Sequence, residues 1–213
     1  MIPNLQPLVL KGDTPDVGCS VALLKAGQNV TLEEYLNFRE VLMEAIELIT
    51  KSLEQSMGDV NKALDGLTQQ EVSWSPKPDC NSIAFILWHM VRVEDMFVNR
   101  MIQGKAELYE SAGWAGKMGT PPGDSGGGGR YSLEQLQAWP VPKLETLQGY
   151  RNAVRNNTLS LLKTITPSKM DELPTSTRFP GSIGALLSRM ITEIAEHSGQ
   201  IAYLRGQQRG INK

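Results

Sequence analysis

Two residue types that carry much of protein chemistry are nearly missing from this chain: it has two cysteines, Cys19 and Cys80, and two histidines, His89 and His197. The cysteines stand in different contexts and form no C-x-x-C, which argues against a disulfide framework; a reducing, cytoplasmic setting is the expectation. Cys80 follows a Pro-Asp pair in a turn and reads as a passive thiol. No apolar stretch approaches the roughly 20 residues of a membrane span. The first residues lack the basic, apolar and small-residue regions of a signal peptide, so none is expected. There is no Lys/Arg run, and the formal net charge is only -2, with both signs spread along the chain. That balance excludes an obvious nucleic-acid or anionic-membrane surface. Nucleophilic catalysis is poorly supported: G-x-S-x-G is absent, and neither cysteine shares a helix face with a histidine. H-E-x-x-H and the paired Glu-x-x-His of di-iron bundles are absent too. No window sustains strand alternation, and no internal repeat is visible.

What is present is helix-forming material, with 40% hydrophobic residues in 213, enough for a sizeable core. Residues 1–30, broken by Pro3, Pro7 and Pro15, read as an irregular N-terminal arm. Helical signals begin at Thr31, whose capping box with Glu34 opens a periodic run to about Leu67, read as one long helix or as two end to end, with Gly58 as a candidate kink. A second helix is expected from Ser82 to about Gln103, before Gly104. Residues 104–131, including T-P-P-G-D-S-G-G-G-G-R, read as a long crossover or a mobile linker. The glycine run is not a phosphate loop, because the G-K-[ST] ending and a preceding strand are missing. Ser132 and Gln135 offer a second capping box for a short helix stopped by Pro140. A third main helix spans about 142–165, and Pro167, Pro174 and Pro180 mark a loop. A fourth runs from Ser182 to about Arg205, ending at Gly206. The expected architecture is one all-α domain over residues 31–213, a four-helix bundle with its long crossover between helices two and three.

Both histidines fall mid-helix on faces with core spacing. His89 lies on a stripe with Ile86, Val93 and Met96; His197 lies with Ile183, Met190, Ile194, Ile201 and Leu204. Glu193 sits four residues before His197, one turn away on the same face. A carboxylate and two imidazoles turned toward a bundle interior need a shared reason, because unpaired polar groups are costly there. A divalent metal held by His89, Glu193 and His197 supplies one, and leaves a coordination position open for water or substrate. Each feature alone has a plainer explanation: a core histidine donating to a backbone carbonyl, or an E-x-x-x-H ion pair. Arg92, Glu94, Asp95 and Glu196 are expected to face solvent or form exposed pairs. Glu94 and Arg205 are the secondary candidates for residues around a pocket, and Trp88 reads as core or interface.

The stretch N-S-I-A-F-I-L-W-H-M-V-R-V-E-D, residues 81–95, resembles the second helix of the DinB-like superfamily of metal-binding four-helix bundles. E-I-A-E-H-S-G-Q-I-A-Y-L-R-G, residues 193–206, resembles its fourth-helix signature, H-x-G-Q-I followed by Y-L-R-G. The likeness covers roughly 38–207. It implies that His89 and His197 are metal ligands. The remaining ligand position, usually a third His, is Glu193 here, as in the mycothiol-dependent branch that includes maleylpyruvate isomerase. It further implies zinc or a similar ion (nickel, iron or manganese) and an S-transferase or isomerase using a low-molecular-weight thiol such as bacillithiol or mycothiol toward an electrophile. A non-catalytic metal-binding or stress-response protein and a metal-dependent hydrolase are the other expectations. A homodimer is expected as well, because Trp88, Trp114 and Trp139 leave apolar material that one core need not absorb.

Overall fold

Ser82 and Ser182 each start a long helix by the same device: the side-chain oxygen accepts the backbone N–H three residues on, from Phe85 and Ala185. The computed structural model describes residues 45–121, 127, 129, 131–176 and 180–210, and among these every regular element is helical. The four main helices are α1 (Ala45–Leu64), α2 (Ile83–Asp95), α3 (Leu144–Leu162) and α4 (Ile183–Arg209). The N-terminal arm and the Thr31–Glu34 capping box lie outside the described residues. Helix α4 packs mainly on α1 and α2, and α2 packs on α3. The two histidine-bearing helices are therefore neighbours. No helix of the described residues is long and apolar enough to cross a membrane.

Several expectations need correction. Gly58 does not break α1, since it lies within an unbroken helix facing open space. The second helix does run from Ser82 to Gln103 as expected, but its last part, Met96–Ile102, is a π-helix that continues α2. Gly206 does not end α4, which continues to Arg209 and stops at Gly210 with φ +80°. Tertiary bonds hold that extra turn: Gln208 Nε2 donates to the Glu71 carbonyl at 3.1 Å, and Arg209 Nε meets Glu71 Oε1 at 2.7 Å. These bonds hold the turn in place against the helix-weakening effect of a mid-helix glycine. The loop after α3 contains a helical turn, Pro167–Asp171, capped by Thr166.

The crossover departs furthest from its composition. Its described part holds helical turns at Leu108–Ser111 and Trp114–Met118, with Tyr109 fully buried, so that part is packed structure and no mobile linker. The Ser132–Gln135 capping box forms as expected. Trp88 and Trp139 are buried and Trp114 packs against the same core. These three tryptophans are thus absorbed within one chain and carry no argument for a dimer.

Arg92, Glu94 and Asp95 do not face solvent; all three are almost fully buried. Burial is tolerated because each has specific partners. Glu94 accepts both forks of Arg155, at 2.8 and 2.9 Å, and the Thr158 hydroxyl at 2.7 Å. The same guanidinium donates to the Leu53 carbonyl at 2.7 Å, linking α1, α2 and α3. Asp95 accepts Tyr150 Oη at 2.7 Å and the backbone N–H groups of Leu108 and Tyr109 at 2.9 and 2.8 Å. It thereby fixes the first helical turn of the crossover. Burial, followed by the Asp95 charge, pushes the Tyr150 phenol far above its ordinary range, so the tyrosine stays a donor. Arg92 pairs with Glu107 of the crossover and lies 3.7 Å from the centre of the Tyr109 ring.

Candidate metal centre

Helix periodicity puts His89 on the face of α2 that meets α4, and Glu193 and His197 one turn apart on the facing side of α4. The apolar residues expected to flank them are buried, Ile86 and Val93 on α2 and Ile183, Met190, Ile194, Ile201 and Leu204 on α4, except Met96, which is half-buried. Packing of the two stripes brings the imidazole centres to 4.9 Å, with the rings nearly perpendicular at 84°. One ligand atom from each of His89, Glu193 and His197 lies within 4.8 Å of the others. Tetrahedral zinc with bonds of about 2.0–2.2 Å would hold its ligands roughly 3.4 Å apart, a contraction within reach of side-chain rotation.

The hydrogen bonds around the cluster point its nitrogens. His89 Nδ1 lies 2.5 Å from the Gly127 carbonyl oxygen. His197 Nδ1 lies 2.9 Å from Gln200 Oε1. The Gly127 carbonyl oxygen can only accept, so His89 carries a proton on Nδ1; with the Gln200 amide turned as it is, His197 Nδ1 donates to Oε1 and its Nε2 keeps the lone pair. His197 Nε2 is buried and has no hydrogen-bond partner. Its nearest charged neighbour is Glu193 Oε2 at 3.6 Å, too far for a hydrogen bond. The other Glu193 oxygen, Oε1, is held by Arg189 at 2.9 Å. Side-chain exposure is 14% at His197 and 23% at Glu193, so the cluster is shielded and yet open at one side. The plain explanations considered for each residue are partly realised, since His89 does bond a backbone carbonyl and Glu193 does approach His197. Neither satisfies His197 Nε2.

Of the secondary candidates, Glu94 lies away from the cluster, whereas Arg205 lines a separate open groove of about 510 Å³ between α1 and α4. Glu94 is consumed by Arg155 and Thr158, and Arg205 donates to the carbonyls of Ala63, in the last turn of α1, and Asp65, just past its end, at 3.1 and 2.6 Å. Glu196 is exposed, as expected. Three residues around the cluster were not singled out in sequence. Gln200 and Arg189 were legible as the i+3 neighbour of His197 and the i−4 neighbour of Glu193. Gly127 carried no such signal. An open groove of about 590 Å³ adjoins the cluster through Gln200, and Cys80, Ile86, Glu196 and Tyr203 also line it. Cys80 is a half-buried free thiol there.

The family model of the DinB superfamily matches residues 52–201. The crystal structure of a conserved protein from Enterococcus faecalis aligns with a TM-score of 0.68 at 21% sequence identity, over 78% of this chain and 97% of that one. At that identity the likeness speaks for the fold. No curated protein matches the chain.

Proposed function

The chain belongs to the DinB superfamily, and we propose that it binds one divalent ion, zinc, through His89, Glu193 and His197, and uses it to activate a low-molecular-weight thiol toward an electrophile. The observation that carries the metal reading is the buried His197 Nε2 with no partner, facing a carboxylate and a second imidazole across a gap of ligand size. Leaving a buried acceptor unsatisfied costs about 1–3 kcal/mol, which a ligand bond would offset. Two neutral imidazoles and one carboxylate are a three-ligand set that leaves a fourth position free. When bound, zinc supplies Lewis acidity that depresses the pKa of a thiol drawn to it.

The chain's own groups have distinct tasks. Glu193 provides the one anionic donor, Arg189 steadies its outer oxygen, and Gln200 orients His197. The adjoining groove is the place for the body of the thiol. Its lining carries Asp79 and Glu196 and no basic side chain, which favours a neutral, hydroxyl-rich thiol over an anionic one. In the transfer, a sulfur–carbon bond forms as the electrophile's leaving group departs, and the thiol proton passes to solvent.

Elemental analysis of protein purified without an affinity tag tests the first half, with about one zinc per chain expected. Metal-free protein that is normally folded after metal-supplemented expression would end the reading. A panel of thiols with a generic electrophile tests the second half. Metal without thiol-dependent conjugation marks a binding or stress-response protein, and thiol-independent ester or amide cleavage marks a hydrolase.

A further inference from the structure

We infer that the crossover contributes one residue to the metal centre: the Gly127 carbonyl is a positioning group that sets the tautomer and orientation of His89. The inference rests on the metal reading above. Its own basis is steric and geometric. Gly127 is buried, and its carbonyl oxygen lies 2.5 Å from His89 Nδ1. A carbonyl oxygen only accepts, so the proton sits on Nδ1 and the lone pair of the ring points from Nε2. Gly127 has φ +57°, a left-handed conformation that glycine adopts without penalty. A Cβ at this position would stand 2.9 Å from Arg92 Cβ and 3.7 Å from His89 Nδ1. Arg92 has little room to yield, because Glu107 and the Tyr109 ring hold its guanidinium. Only glycine lets the backbone approach α2 closely enough to bond the imidazole.

The two histidines are therefore controlled differently. His197 is oriented by Gln200, a side chain on its own helix whose amide can turn over and offer its NH2 instead. His89 is oriented by a backbone carbonyl, which has no second option. Outer partners of metal-binding histidines commonly change metal affinity by about 10–100-fold when lost.

The test compares zinc dissociation constants, by chelator competition, of the wild type, Gly127→Ala and Gly129→Ala, together with 15N spectra of the imidazoles in metal-free wild type. With two histidines in the chain, the variant His197→Asn assigns the spectrum. Expected are a 10–100-fold weaker zinc affinity for Gly127→Ala, wild-type affinity for the exposed Gly129→Ala, and the Nδ1–H tautomer at His89. Equal affinity of Gly127→Ala and wild type, or the Nε2–H tautomer at His89, overturns the inference while the metal reading stands. A wild type that binds no zinc overturns the metal reading itself. Should Gly127→Ala fail to fold, the wild-type tautomer decides.

Discussion

Helix α2 presents two polar groups of opposite character, one fully buried and one half-buried. At its C-terminal end, Glu94 and Asp95 meet a full set of protein donors: a bidentate arginine, two hydroxyls and two backbone N–H groups. About one and a half turns earlier, His89 meets Glu193 and His197, and His197 Nε2 there remains without a partner. The first group is closed and therefore architectural: it fastens α1, α3 and the crossover to α2. The second is incomplete within the protein, which marks it for a ligand. Burial alone does not separate a structural polar group from a functional one. Completeness of its partners does.

The largest effect that would break this comparison is at the closed site. Glu94→Ala strands the Arg155 guanidinium in the core and should destabilise the protein by roughly 3–5 kcal/mol in urea unfolding. Glu193→Ala, at a half-exposed carboxylate paired with exposed Arg189, should cost no more than about 1 kcal/mol in chelator. Comparable losses for the two would erase the distinction.

Next come the imidazoles. Replacing His89 or His197 by Ala should abolish the zinc content and the zinc-dependent rise in melting temperature, because ligand stabilisation follows free metal over its dissociation constant. Melting in chelator should change much less. Retained stoichiometric zinc in either variant would place the ion elsewhere.

A finer test lies at Glu193. Gln keeps the shape and removes the only anionic donor, so Glu193→Gln should shrink the zinc-dependent melting shift while leaving the chelated protein nearly unchanged. Glu193→His should keep the shift. If Glu193→Gln melts like wild type with and without zinc, the carboxylate is not a ligand.

The smallest effect concerns the far end of α4. The Arg209 hydrogen bond, helped by the Thr68 backbone and hydroxyl, holds the Glu71 carboxyl at about 2, below its ordinary 4.5. A depressed acid stabilises the fold above its unfolded value, and that contribution disappears as pH falls from about 4.5 toward 2. Glu71 closes a capping box with Thr68 at the start of the short helix Gln69–Ser73, and Glu71→Gln keeps an acceptor oxygen there while losing the charge. Its melting temperature should fall less steeply over that pH window than the wild type's. Parallel curves would exclude Glu71 as the source.

By itself the sequence determined the helices, their buried faces and the three candidate ligands. Those follow from short-range rules: a serine cap at 82 and 182, a 3.6-residue period, and Glu193 one turn before His197. It misjudged Arg92, Glu94 and Asp95 because a charge on a helix is exposed unless another element brings a partner, and the partners Arg155 and Glu107 are distant in the chain or beyond a turn. It ended α4 at Gly206 because the bonds from Gln208 and Arg209 to Glu71 are invisible to local propensity. Only the tertiary structure decided that α2 and α4 face each other at matching heights, and that a carbonyl from a glycine run, 38 residues beyond His89, comes to rest on its ring. Periodicity fixes which side of a helix is apolar; the pairing of those sides is set by the packing of the whole core.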